Sequence, residues 1–413
     1  MLARFAKYLD RTWEFQDLLV HVHDGRQKPR IPARPVWLSE FGMHAMRLGS
    51  HHALGQQLKM PARWEPWVGE IKPSIRTCER SLEVCDLQGQ REMIVLVGQD
   101  SKRKKTFHRL YEDKHWVAAI DGLEPYCSFK RCCPECLTRE VTVGNAKVTQ
   151  YYHRYVVLQL VGVTPVLPLD IEPLLRGDTE TSAGLRLLRR FTQRCPRFLD
   201  AVTMDAFYLQ APFVLEALQF GLILLVVLKQ ENRELYRDAE GIRKITPSHT
   251  LHAVDKVSEV WDLEGLTSWE SLGLPVRVVA SLEKQTRQER IAGEKKERID
   301  ERDWQWAVIA PKGAEPIPSE LVIRWGHARW DEETRGFGEL TRYWELDHNY
   351  HHHPQAMLAN LMILFLAFFL TTVFFDRNLK APLREDQTRL HLSQLFMDDL
   401  VLQEQTSFWA QPP

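Results

Sequence analysis

The sequence predicts an α/β fold: a mixed sheet flanked by helices, with an all-β insertion and an α-helical N-terminal region. Three observations predict it. Residues 198–229 read as strand, helix and second strand in close succession, and residues 151–171 read as a hairpin that precedes them. Residues 230–321 hold only short apolar runs between charged and turn-rich stretches.

Along the chain, residues 1–110 alternate helical patches with basic loops. A Pro- and Arg-rich linker is expected at 27–35 and a helical apolar pattern at 36–58. This region is either a DNA-binding or dimerising head or a helical cap on the core. The first segment of the core is expected at 111–229, where the apolar run from Trp116 to Ile120 ends in an acid, Asp121, followed by Gly122. A Cys-rich loop is expected at 122–150, then strands at 151–162 and 164–171. Asp178 and Thr179 open a helix that runs through Arg194, with Glu180 in its first turn and Ala183, Leu187, Leu188 and Phe191 on one face. Val202, Thr203 and Met204 form a β-prone run that ends in Asp205. Pro212 fits the first residue of a helix and Gly221 the place just past its end. Residues 222–228 are unbrokenly aliphatic, as in a strand covered on both faces.

The insertion, 230–321, offers candidate strands at 259–263, 276–282 and 304–309, with 284–303 expected as a solvated charged loop. The second segment of the core is expected at 322–380. Helical patterning resumes near Ala328, with Trp330, Phe337 and Leu340 on one face and Arg329 four residues before Glu333. Residues 356–375 carry no charge, and a helix of that length would cross about 30 Å. The alternatives are a membrane span and a buried central helix. Asn360, Thr371 and Thr372 interrupt the run and its flanks carry His and Pro, so a buried helix without membrane contact is the expectation. Residues 381–413 form a polar, amphipathic helical tail.

Composition narrows the classes. The chain has 413 residues, with 54 Lys+Arg against 55 Asp+Glu and a net charge of -1, so no global basic excess marks a nucleic-acid partner. Residues 1–117 nevertheless hold 20 basic against 14 acidic side chains, including Lys102, Arg103, Lys104 and Lys105, which suggests an anionic partner. The first residues lack an apolar core followed by a cleavage site. Seven cysteines, four of them within 127–136, fit reduced thiols in a cytoplasmic protein. Cys133 and Cys136 form a C-x2-C, the loop that presents two thiolates to one Zn²⁺, with Cys127, Cys132, His108 or His153 left to complete four ligands. The alternative is reduced cysteines in a loop.

Acids at two strand ends and a third on a late helix can meet at one sheet edge. Two Mg²⁺ ions about 3.5–4 Å apart need such carboxylate oxygens and leave positions for phosphate and water. Asp121, Asp205 and Glu333 are separated by 83 and 127 residues, the longer gap holding the β-rich insertion.

The run I-D-G at 120–122, the block V-T-M-D-A-F-Y at 202–208 with Lys229 beyond it, and R-W-D-E-E-T-R-G-F-G-E-L at 329–340 resemble insertion-sequence transposases of the DDE type. The resemblance covers roughly residues 105–380 and implies a ribonuclease-H-like core interrupted by a β-rich insertion before the last acid. It implies Asp121, Asp205 and Glu333 as catalytic ligands of two Mg²⁺ ions, with Mn²⁺ as a substitute. Glu333 is the third because the family's acid follows an Arg after three intervening residues, here Arg329; Asp331 and Glu332 are its rivals. It further implies double-stranded DNA, both transposon ends and target, as partner of a homodimer, with Arg329, Trp330, Lys229 and His348 facing the DNA. His348 and one of His351, His352 and His353 match the family's segment after the catalytic helix. Two positions depart from the family: a Tyr three residues before the Arg is replaced by Gly326, and a Lys seven residues after the Glu by Leu340. Arg335 and Arg342 are the available substitutes. The departures leave open a catalytically silent DNA-binding descendant, and the uncharged run 356–375 separately leaves open a membrane-anchored protein.

Overall fold

A computed structural model of the chain describes every residue except 61–62, 112, 230–232, 255, 292–293, 386 and 403–413, so the end of the expected tail lies outside the described residues. The N-terminal region is helical, its longer members being α1 (Leu2–Trp13), α2 (Ala33–Ala45) and α3 (Leu87–Arg103). On α1, Leu2, Phe5, Ala6, Leu9 and Trp13 recur at helical spacing and form its buried face. The linker expected at 27–35 ends early. Pro35 lies in the first turn of α2, where a missing N–H breaks no helical bond. These helices share one hydrophobic cluster with the sheet, so the region packs as a cap on the core.

The sheet is built from β1 (Val117–Ser128), β2 (Leu137–Val143), β3 (Ala146–Val161), β4 (Leu167–Pro173), β5 (Ala201–Met204) and β6 (Ile223–Val227), then β7 (His249–His252), β8 (Lys256–Leu266), β9 (Val276–Ile291) and β10 (Glu294–Ile309). Helix α4 (Glu180–Arg194) precedes β5 and α5 (Ala211–Leu218) follows it. The order across the ten strands is β2, β3, β1, β5, β6, β10, β9, β8, β7, with β4 paired to the later half of β3. β1, β5 and β6 run parallel, whereas β1, β3 and β4 are successively antiparallel. The sequence specifies this locally. Thr179 and Ser182 close a reciprocal capping box at the start of α4, Pro212 sits in the first turn of α5, and all five residues of β6 are buried between layers.

Three expectations change. Asp121 does not end its strand, because β1 runs on to Ser128 paired with β3. Gly122 signals close packing rather than a turn: a Cβ there would stand 2.7 Å from Glu180 Oε2 and 2.8 Å from Arg154 Nη2. The Cys-rich stretch 122–150 is therefore mostly ribbon, with the loop confined to the residues between β1 and β2. The charged stretch 284–303 is likewise not a loop. It continues β9 and β10 as a two-stranded ribbon paired from Arg277 with Val308 out to Ile291 with Glu294. Its strands join the main sheet where β10 pairs antiparallel with β6.

After the ribbon come α6 (Ser319–Asp331), which starts nine residues before the patterning at Ala328, a wide π-turn at Glu332–Phe337, α7 (Gly338–Trp344), α8 (Pro354–Val373) and α9 (Arg389–Leu402). α8 is the long apolar helix, and every residue from Ala356 to Val373 is buried. It is long and apolar enough to cross a membrane, yet its most apolar window is 100% buried inside the protein. A fully buried Leu, Ile or Phe contributes about 1.5–3 kcal/mol, which makes this helix the centre of the fold. Its interrupting Asn360 accepts from His44 Nε2 at 2.8 Å and donates to Glu40 Oε2 at 3.4 Å.

Candidate catalytic site

Strand register brings the first two acids together. Ile120 on β1 and Met204 on β5 are the last ladder partners of that parallel pair, and Asp121 and Asp205 are the next residues on each strand. Neighbouring strands lie about 4.8 Å apart, so the two carboxylates project from adjacent interior backbones, Asp121 within β1 and Asp205 just past the end of β5. Each is steered locally: Gly122 N–H donates to Asp121 Oδ1 at 2.7 Å, and Phe207 N–H donates to Asp205 Oδ1 at 2.8 Å as the start of a short 3-10 turn.

The third acid comes from the late helix. Arg329 on α6 donates through Nη1 to Asp121 Oδ2 at 3.0 Å and to Glu333 Oε1 at 2.9 Å. The guanidinium is 7% exposed, so it acts as a desolvated positive charge between two carboxylates. The backbone then widens into the π-turn that carries Glu332 and Glu333, a distortion common at functional sites. Gly336 allows the turn to lie directly on β3, because a Cβ there would overlap the Gln159 side chain. Glu333 is exposed. Glu332 is fully buried with neither carboxylate oxygen partnered by the protein.

Electrostatics follow from this crowding. Burial is the main cause that pushes the Asp121 carboxyl up to about 6; Gly122 N–H and Arg329 oppose it, and the charges of Asp205 and Glu333 add to it. Burial also pushes Glu332 well above the carboxylate range, with Asp121 reinforcing it. An all-oxygen cluster under such mutual repulsion suits a hard divalent cation. Asp121 and Glu333 share Arg329, Asp205 follows on the neighbouring strand, and Glu332 lies buried beside Glu333 in the chain.

The predicted DNA-facing residues divide. Lys229 is exposed, and its Nζ lies 5.5 Å from the Trp304 ring. Trp330 meets the same ring edge-on at 4.7 Å and stacks on His327 at 5.5 Å. Lys229, Trp330 and Arg329 therefore belong to one rim beside the carboxylates, walled by Trp304 and Trp306. A cleft of about 300 Å³ lies on the far side of Trp304 and Trp330, lined also by His327, Glu283, Asp300 and Arg302. His348 lies on the loop after α7, its ring against Tyr350 at 4.6 Å. The wall was missed in the sequence, although W-Q-W at 304–306 is the alternation that sets two indoles on one face of a strand.

Both motif departures have a structural reason. A Cβ at 326 would overlap the indole of Trp306, so the space of a side chain there is already filled. Leu340 is fully buried and cannot face DNA. Arg335 pairs with Asp331 at 3.4 Å, and Arg342 lies over Tyr343.

The second cysteine expectation also changes. Cys133 and Cys136 meet His153 and His352, while Cys127 and Cys132 are exposed and, like His108, outside the group. Burial, with His352 beside it, holds the His153 imidazole down to about 4. His352 thus faces the cysteines, and its neighbour His351 pairs with Glu83 at 2.7 Å.

No protein-family model matches the chain, and no curated protein does. Among solved structures it is similar to a chain of the cryo-EM structure of the piggyBac transposase synaptic complex with hairpin DNA. That match has a TM-score of 0.44 and 11% identity, and covers 97% of this chain and 79% of the other.

Proposed function

We propose that the chain is a DDE-type DNA transposase that cleaves the ends of its element and joins them to target DNA. The observation that carries this is the placement of Asp121 and Asp205 directly after ladder partners on adjacent parallel strands, with Arg329 reaching both Asp121 and Glu333 from α6. The order β4, β3, β1, β5, β6, three antiparallel strands followed by two parallel ones, supports a ribonuclease-H-like core. Two Mg²⁺ ions bound by Asp121, Asp205 and Glu333 would supply the Lewis acidity that activates the attacking oxygen and stabilises the leaving one.

The chain's own residues do the positioning. Arg329 fixes the orientation of Asp121 and Glu333 from a buried position. Lys229 supplies a phosphate contact, and Trp304 and Trp330 offer ring faces to bases unstacked at a DNA end. Two copies of the chain would hold two ends together.

Purified chain incubated with Mg²⁺ and DNA carrying the gene's own flanking ends should nick at the end. Equal nicking by Asp205→Asn would sink the assignment. A second reading, a descendant that binds DNA without cutting it, is favoured by the burial of Leu340 where the resembled family carries Lys. It predicts retained end binding with no metal-dependent nick.

A further inference from the structure

The group at Cys133, Cys136, His153 and His352 draws its donors from three separate places. The two cysteines lie in the loop between β1 and β2, His153 lies on β3, and His352 lies in the segment that leads into α8. Nothing in the carboxylate chemistry uses these four.

Their geometry is that of a coordination shell. The four ligand atoms all lie within 4.8 Å of one another. Cys133 Sγ and Cys136 Sγ are 3.6 Å apart, each is 3.3 Å from His153 Nε2, and Cys136 Sγ is 3.3 Å from His352 Nε2. A tetrahedron with zinc–sulfur bonds of about 2.3 Å and zinc–nitrogen bonds of about 2.0–2.1 Å has sulfur–sulfur edges of about 3.8 Å and sulfur–nitrogen edges of about 3.6 Å. Four of the six edges thus fall within about 0.3 Å of those lengths, and the other two lie within 4.8 Å. A disulfide would need about 2.05 Å, and both cysteines are free.

Hydrogen bonding alone does not account for the cluster. A thiol is a weak donor, yet Cys136 Sγ is approached by two imidazole nitrogens and also accepts the Cys133 amide at 3.1 Å. An amide N–H aimed at sulfur is the outer contact that a metal-bound thiolate takes. Two soft sulfurs and two imidazoles select Zn²⁺ over the hard Mg²⁺, and four protein ligands leave no open position.

We propose that Cys133, Cys136, His153 and His352 bind one Zn²⁺ as a closed structural site that clasps the β1–β2 loop and β3 to the entrance of the buried helix α8. The site is independent of the transposase reading, since it shares no residue with the carboxylates and its test reads metal and folding rather than DNA cleavage.

The full chain, purified without added metal, should carry about one zinc per chain by elemental mass spectrometry. X-ray absorption at the zinc edge should show two sulfur and two nitrogen ligands. Chelation should lower the thermal midpoint, with recovery on adding Zn²⁺ and none on adding Mg²⁺. His352→Gln should lose its zinc to a chelator that leaves the wild type loaded, whereas His351→Gln should keep it. Because the wild-type measurements need no variant to fold, the proposal stays testable if His352→Gln does not. It is overturned if the wild-type chain takes up no zinc on titration, if Cys133 and Cys136 are recovered as a disulfide, or if His352→Gln retains zinc as firmly as the wild type.

Discussion

Asp121→Asn in metal-free buffer isolates the electrostatic cost of the carboxylate cluster. The folded carboxyl has its pKa at about 6 against an ordinary 3.8, principally through burial. Between those values the folded chain holds a proton that the unfolded chain has released, so stability falls as pH rises through this window. Above about pH 6 the full effect is present, and at 1.36 kcal/mol per pH unit it amounts to about 3 kcal/mol of destabilisation. Below pH 3.8 it is absent. Asparagine stays neutral throughout and can still accept from Arg329 through its amide oxygen. Without added Mg²⁺, Asp121→Asn should therefore be more stable than the wild type by up to about 3 kcal/mol at pH 8, converging with it near pH 4. Thermal midpoints across pH 4–8 read the difference. Adding Mg²⁺ should raise the wild-type midpoint by mass action and leave that of the variant nearly unmoved. The reasoning fails if the variant is less stable at pH 8 without metal, or if the gap between the two proteins does not change with pH.

Glu333→Gln should abolish Mg²⁺-dependent nicking while Glu332→Gln, which resembles a buried acid already holding its proton, should retain it; the reverse result in the same gel assay would move the third ligand to Glu332. Lys229→Ala should flatten the salt dependence of end binding by about 0.9 in log–log slope, as for one lost phosphate contact, whereas Trp330→Ala should weaken binding with the slope unchanged. Fluorescence anisotropy from low to high salt separates the two, and equal slopes for all three proteins would remove Lys229 from the interface. Gly326→Ala should lower stability by about 1–3 kcal/mol, because a Cβ there overlaps the Trp306 indole; an unchanged thermal midpoint would show that the indole moves aside freely.

The legible stretches of this chain are those that carry their own periodicity. The unit from β5 to β6 could be read because Pro212, Gly221 and an unbroken aliphatic strand are local signals, and α4 because Thr179 and Glu180 mark its start. The ribbon within 284–303 could not. Where a two-stranded ribbon leaves the core, charged residues replace both the alternation of apolar and polar and the apolar run that mark a strand in a single sequence. Asp121 is legible although its strand runs on past it, because Gly122 imitates a turn while making room for Glu180 and Arg154. The fourth member of the cysteine cluster was out of reach, since Cys136 and His352 are 216 residues apart and no periodicity links them.

One member of each donor group sits on the same pair of strands. Asp121 pairs with Val157 across the β1–β3 ladder, and His153 lies four residues earlier on β3, about 13 Å along the strand. From this ladder the chain is tied twice to its C-terminal region, through Asp121 to Arg329 on α6 and through His153 and the cysteines to the segment before α8. Between those two ties lie the π-turn, Glu332, Glu333 and α7. Asp205 needs neither tie, because its strand is held between β1 and β6 in the sheet itself. Glu333 stands on the widened turn outside the strands, and Arg329 binds it at 2.9 Å. Strand register thus sets Asp121 and Asp205 side by side, and Arg329 on α6 reaches Glu333 from the same Asp121.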